Sequence, residues 1–254
     1  MNSGISFMVR IRNEERTIEK CIRSLSNLQI PHEIVCILHL CTDRTEEILR
    51  SIENPNIKIY VYEHEVSKPG YETLATDADS KHSFVRFSSW CIEKCSLPWV
   101  FKWDADFVAS SKLIDFLHSK TWNPENVTYS LVANDGTHRN RETYLLCNNQ
   151  FKFKKYLFWE KRMYPVSNVK IDLPDDVEII HNSSLRTVKN WWTRKSWYET
   201  EDSDEARIVY ERIKRLENDY GKEPLGMARA SNPECYKIKE KIMRKIPDYV
   251  NISN

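Results

Sequence analysis

Asp104 and Asp106, in Trp103-Asp104-Ala105-Asp106-Phe107, are the residues best suited by type and spacing to do chemistry. They stand where an apolar run, Trp99-Val100-Phe101-Lys102-Trp103, ends. In an extended strand successive side chains alternate between faces, so an Asp-x-Asp triplet turns both carboxylates to one side. Paired oxygens suit a hard divalent cation. Mg²⁺ is usually held by one or two protein carboxylates, with substrate phosphates and water filling its shell. The chemistry implied is a metal-bridged nucleotide diphosphate. Acidic residues also crowd at turns, so the surrounding elements must carry the argument.

Those elements read as alternating strands and helices. Ile5-Ser6-Phe7-Met8-Val9 is an apolar strand, and Asn13 is placed to cap a helix in which Ile18, Cys21, Ile22 and Leu25 recur at helical spacing. Ile34-Val35-Cys36-Ile37-Leu38 is a second strand, after which Thr42-Asp43-Arg44-Thr45 opens a helix carrying Ile48, Leu49 and Ile52. Ile57 to Val61 is a third. A polar loop around Lys68-Pro69-Gly70 then leads to a helix with Phe84, Phe87, Trp90, Cys91 and Cys95. The strand bearing Asp104 is fourth. Such alternation predicts a largely parallel sheet covered on both faces, and sheets of that kind bind ligands beyond the carboxyl ends of their strands.

Composition sets the outer bounds. The chain has 254 residues, 41% hydrophobic and 30% charged, enough for one large domain or one domain with a helical appendage. Lysine and arginine number 38 against 37 acids, so a net charge of +1 gives no general pull toward nucleic acid, and none is expected as a partner. No apolar stretch approaches the roughly 20 residues that span a bilayer, and Met1-Asn2-Ser3-Gly4-Ile5 lacks a basic flank; a cytoplasmic protein is expected. Seven cysteines without a Cys-x-x-Cys pair fit reduced thiols rather than disulfides or a zinc site. In a cytosolic chain the sequons at Asn126, Asn182 and Asn251 are chance matches.

Three motifs now stand in order: Met8-Val9-Arg10-Ile11-Arg12-Asn13-Glu14-Glu15 after the first strand, Cys41-Thr42-Asp43-Arg44-Thr45-Glu46-Glu47-Ile48 after the second, and Trp103-Asp104-Ala105-Asp106 after the fourth. In this the chain resembles family 2 glycosyltransferases of the GT-A fold, well over residues 5–110, more thinly to about 185, and not beyond. The resemblance implies an α/β fold with a Rossmann-like, mixed but mostly parallel sheet flanked by helices. Residues 1–185 would form the nucleotide-sugar-binding and catalytic domain, and 186–254 a helical C-terminal extension. It also implies Arg10, Arg12 and Glu14 around the base and ribose, with His39 and Asp43 at the end of the second strand. Asp104 would serve both ribose and metal, and Asp106 the metal. Ser83-Phe84-Val85-Arg86 is similar to the helix that points an arginine at the diphosphate, and a guanidinium matches phosphate oxygens bidentately.

One departure concerns the base. Where many family members carry an aspartate that accepts from the uracil imide, this chain has His39, whose imidazole can donate or accept. A UDP-sugar is the first expectation for the donor, with dTDP- and GDP-sugars as alternatives.

The second half must supply the acceptor side. Val127 to Ala133 and Thr143 to Cys147 read as two further strands, in part antiparallel. An inverting transfer needs a carboxylate to take the proton of the attacking hydroxyl. Glu160, in the aromatic cluster Tyr156-Leu157-Phe158-Trp159-Glu160-Lys161, follows the family's order, and Asp176 is its rival. His181 ends a short strand, Val177-Glu178-Ile179-Ile180, where GT-A enzymes often place a further metal ligand; an imidazole beside aspartates favours Mn²⁺ over Mg²⁺.

Beyond it, Leu185, Val188, Trp191 and Trp192 recur at helical spacing among Arg186, Lys189, Arg194 and Lys195. The pattern fits a helix packed on the core, or one resting peripherally on a membrane. A helix is predicted from Asp204 to about Tyr220, ended by Gly221. Tyr236 to Ile246 forms a basic amphipathic segment suited to docking, homodimerisation or capping.

The expected activity is therefore metal-dependent, inverting transfer of a hexosyl or related sugar to a hydroxyl of a glycan, lipid-linked or protein acceptor. Two alternatives stand beside it. A nucleotidyltransferase would carry a Gly-rich basic phosphate loop near the first strand, whereas this chain has 5 glycines and none in residues 10–15. A binding module for nucleotide or carbohydrate would bind without turnover.

Overall fold

The computed structural model describes residues 3–66, 75–148, 151–156, 159–163, 168–182 and 197–220, with side chains excepted at 154–156, 159–163 and 219–220. The described chain falls into two compact units. The first comprises residues 1–63, 90–152 and 164–189, and the second 64–89, 153–163 and 190–254. The expected boundary at 185/186 lies outside the described residues, as do the segment around Trp191, Gly221 and the basic stretch from Tyr236.

Among the described residues a nine-stranded sheet organises the first unit. Strands β1 (Ile5–Ile11), β2 (His32–His39), β3 (Ile57–Tyr62) and β4 (Trp99–Asp104) are parallel, in the order β3-β2-β1-β4. Helices α1 (Ile18–Ser26), α2 (Thr45–Arg50) and α3 (Phe84–Glu93) fall in the connections. Both faces of the central strands are buried, which explains their near-continuous apolar runs. Ile5, Phe7, Val9 and Ile11 enter the main core with Ile34, Cys36 and Leu38, while Met8, Val35 and Ile37 are buried on the opposite face. Phe7, Phe101, Trp103 and Phe107 form an aromatic chain through that core, with ring centroids 5.0–5.8 Å apart.

The sheet becomes mixed beyond β4. After β5 (Phe107–Ala109) comes α4 (Ser111–His118), capped by Ser110 Oγ, which accepts from Leu113 N. Then β6 (Val127–Asn134) and β7 (Arg139–Cys147) pair antiparallel, and β7 also runs antiparallel to β4. The expected antiparallel component is present, with β7 beginning four residues before the predicted Thr143. The ribbon β8 (Lys152–Tyr156) and β9 (Trp159–Met163) forms a separate two-stranded sheet. Finally β10 (Val169–Asp172) and β11 (Glu178–His181) both pair parallel with β6, and β11 pairs antiparallel with β5. Two reversals of direction, β4 to β7 and β7 to β6, return β11 to the sense of β1. His181 therefore ends a strand at the same edge of the sheet as Asp104.

In the second unit α5 (Trp197–Thr200) and α6 (Asp204–Tyr220) pack near residues 64–83. The His82 ring lies flat on Trp197, 3.6 Å between centroids at 7°, and its Nδ1 donates to the Glu65 carbonyl at 2.6 Å. Burial lowers the His82 pKa, against the opposing pull of Glu201 and Glu205. Arg212 donates to the Ala75 carbonyl at 2.8 Å and to Asp77 at 3.0 Å. The six cysteines among the described residues are free thiols, five of them buried.

Candidate functional site

The carboxyl edge of the parallel strands gathers the candidates that belong to the first unit. Arg10 is the penultimate residue of β1 and stands in register with Asp104, the last of β4. That register brings Arg10 Nη2 to 3.7 Å from Asp104 Oδ1, with Asp104's side chain 38% exposed. Beneath it, Cys21 Sγ donates to the Asp104 carbonyl at 3.7 Å. Burial, then Cys36, Asp106 and Asp104, raise the Cys21 pKa well above its ordinary value, so the thiol keeps the proton it donates.

Asp106 does not continue the strand. Ala105 and Asp106 form a turn between β4 and β5, so the alternation expected of an extended Asp-x-Asp triplet stops at Asp104. The turn buries Asp106 to 1% exposure. The β5–β11 pairing aligns Phe107 with His181, and Asn182 N donates to the Asp106 carbonyl at 2.8 Å. This places His181 Nε2 3.1 Å from Asp106 Oδ2, with the imidazole edge-on to Phe107. Asp106 and His181 thus present an oxygen and a nitrogen donor side by side. Among the described residues no three His, Cys, Asp or Glu side chains gather as a metal-holding group.

The remaining candidates divide by burial. Arg12, Glu14 and His39 are 8%, 2% and 2% exposed. Glu14 Oε2 accepts from Thr17 Oγ1 at 3.0 Å, and His39, in register with Tyr62, meets that ring edge-on at 6.1 Å. Asp43 holds loops: Oδ1 accepts from Thr45 N and Oγ1 at 3.1 and 2.6 Å, and Oδ2 from Glu15 N at 3.2 Å. Arg86 lies half-buried in the first turn of α3 and Glu160 on β9, both in the second unit; the Glu160 side chain is outside the described set. Asp176 is exposed and paired with Lys112, whose hydrogen bond holds its carboxyl below the usual range.

Asn13, expected to cap α1, does not do so; the N-cap is Thr17, without a side-chain capping bond. Asn13 instead adopts φ +56° and turns its amide toward the β2–α2 loop. An asparagine just after a strand was the available signal, since Asn tolerates the left-handed region better than other non-glycine residues.

No family model matches the chain, and the search of curated proteins returns no match. Among solved structures the chain is similar to S. aureus TarS 1-349: TM-score 0.52, 14% identity, covering 98% of this chain and 81% of that one. The same S. aureus fragment in complex with UDP-GlcNAc gives 0.49 at 14% identity, covering 85% and 73%. Glucosyl-3-phosphoglycerate synthase from Mycobacterium tuberculosis, in complex with Mg²⁺ and UDP, gives 0.38 at 17%, covering 54% and 46%. The first of these likenesses establishes the fold: a GT-A sheet, mixed and mostly parallel, flanked by helices. No described helix is long and apolar enough to cross a membrane.

Proposed function

We propose that the chain is a metal-dependent, inverting glycosyltransferase that moves a sugar from a nucleoside diphosphate sugar to a hydroxyl acceptor. The observation that supports it is the gathering of Arg10, Asp104, Asp106 and His181 at the carboxyl edge of a GT-A sheet. On this reading Asp106 and His181 hold Mn²⁺ or Mg²⁺, a donor set suited to an ion that leaves room for phosphate oxygens and water. When bound, the ion stabilises negative charge on the departing diphosphate.

The chain's own residues have separate tasks. Arg86 pairs with the diphosphate, and Arg10 and Asp104 orient the ribose end of the donor, a UDP-sugar first and a dTDP- or GDP-sugar next. A general base works best with a pKa near the operating pH. Glu160, which follows the order of the family the chain resembles, is taken first as the group that accepts the hydroxyl proton, with Asp176, paired at the surface with Lys112, as its rival. The acceptor class is a glycan, a lipid-linked saccharide or a protein.

A screen of nucleotide sugars for Mn²⁺-dependent hydrolysis or transfer, with anomeric configuration read by NMR, tests the reading. Binding of a nucleotide without turnover of any sugar would make the chain a binding module instead. Glu160→Gln should lower turnover by about 10²–10⁴ with donor affinity kept, while Asp176→Asn stays nearly silent.

A further inference from the structure

The loops after β1 and β2 turn through left-handed residues that are not glycine: Asn13 at φ +56° and Leu40 at φ +48°. A bulky residue in that region costs roughly 1–2 kcal/mol, and such outliers persist where the surroundings over-determine them. The surroundings here are the two loops themselves. Asn13 Oδ1 accepts from Thr42 N at 2.7 Å and from Thr42 Oγ1 at 3.3 Å. Glu14 N donates to Thr45 Oγ1 at 2.7 Å, which in turn donates to Asp43 Oδ1. Glu15 N donates to Asp43 Oδ2, and Arg44 N donates back to Glu15 Oε2, both at 3.2 Å. Asn13 is 6% exposed and Thr45 fully buried, so the bond from Glu14 N to Thr45 Oγ1 is shielded from competing water, while the outer stitches at Thr42, Glu15 and Arg44 lie nearer the solvent.

We propose that Asn13 is a positioning residue of the nucleotide seat: by locking the β1 loop to the β2 loop it presets both for a nucleoside diphosphate. This rests on the glycosyltransferase reading and adds to it a source of affinity that touches no ligand atom. A glycine at this point would allow the same φ but would be free to leave it, and would lack the acceptor that Thr42 needs. With the two loops locked before the ligand arrives, their ordering is not charged against binding.

The test is calorimetric titration of UDP, GDP and dTDP with Mn²⁺, on the wild-type chain, Asn13→Gly, Asn13→Asp and Thr45→Val. Asn13→Gly should raise the dissociation constant of the preferred nucleotide about fivefold, the equivalent of one hydrogen bond, and the donor KM with it, leaving kcat unchanged. Asn13→Asp keeps both the acceptor and a tolerance for left-handed φ, and should restore affinity to within about twofold. Thr45→Val is isosteric, cuts a second stitch away from the left-handed positions, and should weaken binding by a similar factor. Loss of thermal stability in Asn13→Gly with nucleotide affinity unchanged would overturn the proposal and leave Asn13 a purely structural residue. Failure of the wild-type chain to bind any nucleoside diphosphate would overturn the glycosyltransferase reading, and this inference with it. Wild-type binding matched equally by Asn13→Gly and Thr45→Val would overturn the inference alone.

Discussion

The two ends of the parallel strands treat their carboxylates in opposite ways. At the amino end Glu33, 4% exposed, accepts from Ser6 Oγ at 2.5 Å, Ser96 N at 2.6 Å, Ser96 Oγ at 2.8 Å and Lys58 Nζ at 2.5 Å. Leu97 N completes the knot by donating to Ser6 Oγ at 3.1 Å. The backbone there is fixed as tightly: Gly4 sits at φ +136°, and an added Cβ would come within 2.5 Å of the Pro31 carbonyl oxygen. At the carboxyl end Asp104 is 38% exposed, with Arg10 at 3.7 Å, beyond hydrogen-bond length, while Asp106 faces a partly exposed imidazole. A carboxylate saturated by fixed donors stabilises the fold and is unavailable to a ligand. One held across a longer gap and open to solvent, as Asp104 is, stays accessible to a ligand.

The largest expected effect separates the ends by activity. On the proposed reading, Asp106→Asn keeps the side chain's shape but removes an anionic metal ligand, so turnover should fall by about a hundredfold or more. Because Asp106 is buried, Asn is the informative replacement; Ala would add a cavity to the result. Thermal unfolding should shift by only a few degrees. Full activity of the variant in the presence of a chelator would remove Asp106 from the metal seat.

Glu33→Gln should do the reverse. It removes the charge from a buried, multiply bonded carboxylate, and hydrogen bonds to charged groups contribute about 1.5–3 kcal/mol. Allowing for solvent screening at Lys58, 45% exposed, about 2 kcal/mol of stability should be lost, roughly 4–8 °C in a unit of this size. Turnover at a temperature well below unfolding should be unchanged. A variant that folds normally but turns over slowly would break the division between the two ends.

The same residue gives a pH signature. Burial alone would raise the Glu33 pKa, but hydrogen bonds from Lys58, Ser6 and Ser96 outweigh it and hold the pKa below the ordinary glutamate value of 4.5. A carboxyl whose folded pKa is depressed contributes stability above its unfolded pKa and loses it as pH falls through the folded one. The wild-type chain should therefore lose this contribution progressively below about pH 4.5. Glu33→Gln should show a shallower acid limb in denaturant titrations from pH 5 to 3; parallel limbs would mean that the knot carries no charge-dependent stability.

Legibility in the sequence followed locality. Strands β1, β2 and β4 announce themselves because strands buried on both faces read as continuous apolar runs, the edge strand β3 by its run of Ile, Tyr and Val, and the helices between them by the spacing of Ile18, Cys21, Ile22 and Leu25 and its equivalents. Strand β10 and helix α5 are short and carry little periodicity, while α4 offered only one helical pair, Leu113 and Leu117. Asp104 and Asp106 were found by type, but their geometry was not, because the turn at Ala105 is set by β5 reaching across to β11, some 70 residues later in the chain. Long-range antiparallel pairing leaves no local trace, so the approach of His181 to Asp106 could be expected only through resemblance. Asn13 shows the converse: capping and left-handed turning draw on the same short amide, and sequence alone does not choose between them.

The smallest effect asks to which end His39 belongs in kind. By position it lies at the carboxyl edge, the last residue of β2, yet at 2% exposure, edge-on to Tyr62, it has the enclosure of the amino-end group. If its imidazole takes part in reading the base, the affinities of UDP, dTDP and GDP should differ in the wild-type chain. His39→Ala should then narrow those differences by about one hydrogen bond, near 1 kcal/mol or fivefold. Stability should fall as well, since a buried ring is lost, so absolute affinities alone decide nothing and the ratios between nucleotides carry the information. His39→Asn, smaller but still able to donate and accept, should retain part of the discrimination that His39→Ala loses. Unchanged ratios in both variants, alongside a lowered unfolding temperature, would place His39 with Glu33 as a residue that holds strands together, and base recognition would pass to the loop that follows it.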